Sequence, residues 1–124
     1  MNLLLDTHVL LWWLAGEQIA PGAAERIADP GTLVAVSAAS LWEIAIKRSI
    51  GKLRLEGSMT DHVEQGGFEA LPIALEHAER AGSLPLHHRD PFDRMLVAQA
   101  QVERLAIVTR DPAFDAYEVA VLSA

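Results

Sequence analysis

The sequence predicts a central parallel sheet covered by helices, an α/β/α sandwich, on three observations. Short apolar runs rich in Leu, Ile, Val and Ala alternate along the chain with helical patterns. These runs lack the polar alternation of half-exposed strands, as strands buried on both faces do. The chain between most of them is long enough for a crossover helix, and right-handed crossovers lay each helix on a sheet face.

The elements follow in order. Residues 2–5 form an apolar strand ending at Asp6, and Asp6 or Thr7 caps a helix that runs to about Ala15, where Gly16 stops it. Pro21 opens a short helix to Ala28, closed by the turn Asp29-Pro30-Gly31. Residues 33–36 read as a buried strand, followed by a helix from about Ala39 to Ile50 capped by Ser37 or Ser40. On that helix Leu41, Ala45 and Arg48 share one side, and Trp42, Ile46 and Ile50 another. Ser58-Met-Thr-Asp61 resembles a capping box for a weaker helix broken at Gly66-Gly67. A strand over 70–73 carries Pro72 and so belongs at a sheet edge. A short helix over 75–82, an irregular polar connection over 84–91, a helix from Pro91, a strand from Leu105 to Thr109 and a last strand over 118–122 complete the chain.

At 124 residues the chain is expected to form one domain over 1–124. Apolar residues make up 51%, a fraction that suits buried strands and leaves apolar surface for a partner. With no cysteine, disulfide frameworks and thiolate metal sites are excluded, and a reducing cytoplasm is the expected compartment. The N-terminal run has Asp6 and His8 inside it and no basic flank, so it does not read as a signal peptide. No stretch has the uninterrupted apolar length of a membrane helix. The net charge of −7 argues against binding nucleic acid through a broad basic face.

Four acids stand where strands end or helices begin: Asp6, Glu43, Asp93 and Asp111. Each has an ordinary explanation. Asp6 can be a helix cap, Glu43 a surface partner of Lys47 four residues on, Asp93 a helix-dipole residue and Asp111 a turn residue before Pro112. Glu43, however, lies in an otherwise apolar turn, and Asp90 competes as the cap of the last long helix and so leaves Asp93 free. In open α/β sheets the ligand site lies beyond the carboxyl ends of the strands, where strand order reverses. If the first strand and the strand from Leu105 are neighbours, Asp6 and Asp111 meet, and oxygen ligands of this kind suit Mg²⁺.

The chain resembles the PIN-domain family, and within it the VapC-type toxins of type II toxin–antitoxin pairs. The resemblance rests on Leu3-Leu-Leu-Asp-Thr-His, Val36-Ser-Ala-Ala-Ser-Leu-Trp-Glu-Ile, Asp90-Pro-Phe-Asp-Arg-Met-Leu-Val-Ala-Gln-Ala and Leu105-Ala-Ile-Val-Thr-Arg-Asp, and covers the whole chain. It implies a PIN-like three-layer sandwich and a Mg²⁺- or Mn²⁺-dependent endoribonuclease. The family's acids fall on Asp6, Glu43, Asp93 and Asp111 as catalytic and metal-binding residues. Thr7 and Thr109 match supporting hydroxyls, with Asp90 and Asp115 as further supporting candidates. It also implies a cognate antitoxin that blocks the site, and a homodimer. The apolar Leu10-Leu-Trp-Trp-Leu helix is the candidate for part of such a surface.

Lys47, Arg48, Lys52, Arg54, Arg94 and Arg110 are candidate phosphate contacts, although basic residues near a helix C-terminus also complement its dipole. Other chemistry has less support. A zinc site on His87, His88 and Asp90 needs two adjacent histidines to converge, which they rarely do. Ser37 and Ser40 have no paired base, and there is no phosphate-binding glycine loop. An aspartyl phosphotransfer protein built on Asp6 lacks a second acid two places on. A non-cleaving binding module of the same fold is the remaining alternative.

Overall fold

The computed structural model describes all residues from Met1 to Ala124. Five parallel strands form one sheet in the order β3-β2-β1-β4-β5, made of β1 (Leu3–Leu5), β2 (Val34–Ser37), β3 (Glu69–Leu71), β4 (Ala106–Thr109) and β5 (Val121–Ser123). The first strand is therefore central, paired with β2 on one side and β4 on the other, and strand order reverses between β1 and β4. Leu5 pairs with Val108, so the residues that follow the two strands emerge side by side.

The period-two alternation of β1 divides the core. Leu3 and Leu5 face one layer with Val9, Leu10, Ile27, Ile44 and Val63, supplied by α1 (Thr7–Ala15), α2 (Pro21–Ala28), α3 (Ala38–Ser49) and α4 (Met59–Gln65). Leu4 faces the other, with Leu96, Val97, Ala100, Ile107 and Phe114, chiefly from α6 (Pro91–Glu103), which packs on α5 (Leu75–Ser83). All three leucines are fully buried, as both-faced burial requires. The expected α/β/α sandwich is the architecture observed.

Local chemistry explains the boundaries. Asp6 caps α1 by accepting from the His8 amide at 2.9 Å, and Gly16 ends it in the left-handed conformation at φ 71°. Ser37 caps α3 through the Ala39 amide at 3.0 Å. Gln99, fully buried on α6, accepts from the Ser37 hydroxyl at 2.5 Å and donates to the Pro72 carbonyl at 3.2 Å, so one amide ties α6 to β2 and to the end of β3. With Pro72 just after it, β3 is an edge strand, as expected.

One expectation is corrected. The last strand begins at Val121 rather than 118, because Asp111 caps a 3₁₀ helix (Pro112–Ala116) through the Ala113 amide and chain is used to bury Phe114 and Tyr117 before β5 can start. Along α1, Leu10 is fully buried, and Leu11, Trp12, Trp13 and Leu14 are half-buried against the core. The larger apolar exposures include Trp42, Ile46 and Ile50, the stripe expected on one side of α3.

Candidate metal centre

Beyond the ends of β1 and β4 the chain gathers acid. Asp6 follows β1 and is almost fully buried; its Oδ2 accepts from the Thr109 hydroxyl at 2.6 Å, at the end of β4. The same hydroxyl accepts from the Asp111 amide at 3.0 Å. Thr109 thus links the two strand ends and both aspartates, the neighbour relation that the central pairing of β1 with β4 creates. Thr7, also buried, donates to the Ser40 hydroxyl at 2.9 Å and fastens the start of α1 to α3.

Asp93 enters from the first turn of α6. Asp90 is the cap, accepting from the Phe92 amide at 2.8 Å and the Asp93 amide at 3.3 Å, so the Asp93 carboxylate is left for other work. Burial, then repulsion from Asp90 and Asp6, pushes Asp93 up from its ordinary 3.8 to about 6, against a hydrogen bond and attraction from His88 that act the other way. His88 Nε2 lies 2.8 Å from Asp93 Oδ2 and 3.9 Å from Asp111 Oδ2. Donor atoms of His88, Asp93 and Asp111 all fall within 4.8 Å of one another.

Glu43 lies on α3, three residues after Ser40, and is buried. Its Oε2 pairs with Lys47 Nζ at 3.1 Å, the spacing expected, but its Oε1 is buried with no hydrogen-bond partner. A buried carboxylate oxygen without a donor costs about 1–3 kcal/mol or more. Glu43 shares a groove of about 480 Å³ with Lys47, Lys52, Arg89, Asp90 and Phe92. An orphaned oxygen, an aspartate raised by burial and by its acidic neighbours, and a set of carboxylate donors fit a hard divalent cation.

The remaining predicted residues divide. Asp115 is exposed in the 3₁₀ helix and makes no hydrogen bond or ion pair. Lys52 and Arg54 are exposed and Arg48 is half-buried, all three without an acidic partner. Arg94 is held by four backbone carbonyls, Ala81, Leu84, Pro85 and His88, at 2.9–3.4 Å. Arg110 donates to the carbonyls of Ala124 (3.0 Å) and Gln18 (2.6 Å) and stacks 4.1 Å over the Trp12 ring. His87 turns away to pack edge-on against Tyr117, so the two adjacent histidines do not converge. The sequence offers His88 only as part of a disfavoured zinc site with His87 and Asp90. The signal for it is weak: an imidazole five residues ahead of an acid at a helix start.

Fold and site together define an α/β protein with an acidic cluster at the reversal of strand order, the place where such sheets bind ligands. The PIN domain family model matches residues 3–120, and the chain belongs to that family. It is similar to Ribonuclease VapC22 of Mycobacterium tuberculosis (strain ATCC 25618 / H37Rv), 32% identical over 117 residues that cover 89% of this chain and 87% of that one. Among solved structures, a toxin-antitoxin complex from Klebsiella pneumoniae superposes with a TM-score of 0.70 at 24% identity, covering 98% of this chain and 96% of that one. FitAcB from Neisseria gonorrhoeae does so at 0.65 and 22%, covering 97% and 96%. VapBC2 from Rickettsia felis, bound to a DNA fragment from its promoter, gives 0.70 and 14%, covering 99% and 98%. At these identities the structural likenesses speak to the fold.

Proposed function

We propose that this chain is a Mg²⁺- or Mn²⁺-dependent endoribonuclease and the toxin of a toxin–antitoxin pair. The observation that carries the reading is the gathering of Asp6, His88, Asp93 and Asp111 at the ends of β1 and β4, in a chain 32% identical to a protein named as a ribonuclease. Asp6, Glu43, Asp93 and Asp111 hold the cation or cations. When bound, these supply Lewis-acid stabilisation of the phosphate and activate a water for in-line attack. Thr109 holds Asp6 and the Asp111 backbone in register, and Thr7 anchors α1 against α3. Asp90 supports Asp93 as the helix cap, while exposed Asp115 is the weakest of the candidates.

Phosphate contacts fall to the cations with no acidic or carbonyl partner, Lys52 and Arg54 first, with Arg48 and the groove-lining Lys47 and Arg89 beside them. Arg94 and Arg110, engaged by the chain's own carbonyls, serve placement instead. Lys52→Ala/Arg54→Ala is expected to weaken RNA binding and to reduce the slope of log K against log salt by about 1–2. An unchanged slope removes both residues from the interface.

The experiment for the reaction is cleavage of structured RNA by the purified protein. Cleavage appears with Mg²⁺ or Mn²⁺, stops in chelator and leaves 5′-phosphate and 3′-hydroxyl ends. A principal product ending in 2′,3′-cyclic phosphate, or cleavage indifferent to chelator, overturns the mechanism.

The partner is an antitoxin whose apolar segment lies along Trp42, Ile46 and Ile50, beside Glu43. Trp42 is 63% and Ile50 59% exposed, and the cationic rim of Lys47, Lys52 and Arg89 suits a segment that also carries acid. Co-expressed with a candidate antitoxin, Trp42→Ala/Ile50→Glu is expected to lose about 2 kcal/mol or more of complex stability. Undiminished affinity in a titration of the purified partners moves the docking face off α3. The homodimer that the family resemblance implies and the cytoplasmic setting expected from the absence of cysteine belong to the same reading, the first testable by sedimentation.

A further inference from the structure

The connection from α5 to α6 is irregular, yet it is held at many points. Both terminal nitrogens of Arg94, on α6, reach back to it: one donates to the carbonyls of Ala81 (2.9 Å) and Leu84 (3.0 Å), the other to those of Pro85 (3.1 Å) and His88 (3.4 Å). From the far side the buried Tyr117 hydroxyl donates to the Pro85 carbonyl at 3.1 Å and accepts from the His88 amide at 2.9 Å. The backbone of His88 is thus gripped at its N–H and at its C=O by two different elements. Surface connections do not ordinarily receive this much support, and what it fixes is the position of one imidazole.

The ring itself has a defined hydrogen-bonding sense. The Asp90 amide faces Nδ1 at 3.5 Å and Asp93 faces Nε2, and the neutral tautomer that serves both as hydrogen bonds carries its proton on Nε2. Nε2–H then donates to Asp93 Oδ2 at 2.8 Å. Asp111 Oδ2 stands just beyond at 3.9 Å. A protonated Nε2 has no lone pair to offer a cation, and ligation through it requires that lone pair.

We propose that His88 is a positioning residue of the centre: its Nε2–H holds one oxygen of Asp93 so that the carboxylate presents the other alongside Asp111. The inference rests on the cation reading above. It says that cation affinity depends on an imidazole that never touches the cation, as hydrogen-bond partners of ligating groups set affinity elsewhere.

The test uses the full chain with Mn²⁺ and Mg²⁺ alone, without RNA. In calorimetric titration His88→Leu is expected to bind Mn²⁺ about 10–100-fold more weakly than wild type, and His88→Gln, whose amide N–H can reach Asp93, to recover most of the loss. In ¹⁵N spectra of the imidazoles, His88 is expected to keep its proton on Nε2 when Mg²⁺ saturates the protein. Equal Mn²⁺ affinity for wild type and His88→Leu overturns the inference and leaves the cation reading intact. So does a Mg²⁺-induced move of the proton to Nδ1, which makes His88 a ligand. A wild-type protein that binds neither ion overturns both.

Discussion

Asp6→Asn is expected to lower the proposed cation-dependent RNA cleavage by about 10³-fold while leaving the fold in place. The several kcal/mol of charge stabilisation that a bound cation supplies, at 1.36 kcal/mol per tenfold in rate, set that size. Asparagine retains an oxygen to cap α1 through the His8 amide, now made at 2.9 Å. At the other position an amide nitrogen replaces the oxygen that accepts from Thr109 at 2.6 Å. The Thr109 hydroxyl already accepts from the Asp111 amide and has a second lone pair for a new donor. Charge is therefore what the substitution removes. The loss should appear in kcat more than in KM, because the exposed cations proposed to contact phosphate are untouched. Cleavage within tenfold of wild type takes Asp6 out of the reaction, and equal cleavage by both proteins points to a contaminating nuclease.

How much of this was legible beforehand depends on the range of the interaction. The apolar runs and the residues at their ends are local, so Asp6 as a cap, Gly16 as a stop, Pro72 at an edge and Asp90 as the cap that frees Asp93 could all be read from neighbours in the chain. The meeting of the strand ends followed from one topological condition, that β1 and β4 be neighbours, which parallel crossovers make natural. What escaped depends on contacts far apart in sequence. Arg94 looks like a phosphate ligand until the loop over 81–88 folds back onto it, and Arg110 until the C-terminal carbonyl of Ala124 and the ring of Trp12 arrive. His88 is placed by Tyr117, 29 residues away, and no local pattern reports that. The last strand was set three residues early because the apolar spacing of 118–122 does not reveal that Tyr117 must first be buried.

Asp93→Asn has the opposite character, since it stabilises the chelated protein, and does so only above a threshold pH. The Asp93 carboxyl is raised from 3.8 to about 6, chiefly by burial and then by Asp90 and Asp6. Between those values the folded chain binds more protons at this group than the unfolded chain does, so stability falls as pH rises through the window and is level above it. At 1.36 kcal/mol per unit, the shift is worth about 3 kcal/mol. Asparagine cannot ionise, so it escapes that loss, reduced by about 1 kcal/mol because water still reaches and screens part of the group. Near pH 7.5 in chelator the variant is expected to melt about 5–10 °C higher, from a net gain of about 2 kcal/mol. Near pH 3.5, where both side chains are neutral, the advantage disappears. Saturating Mg²⁺ reverses the order, because a cation that binds the folded state stabilises wild type more than a variant lacking a ligand. Calorimetric melts across pH, with and without Mg²⁺, decide it: a difference in Tm that does not vary with pH means that Asp93 is not held above its ordinary range, and equal Mg²⁺ shifts mean that it does not hold the ion.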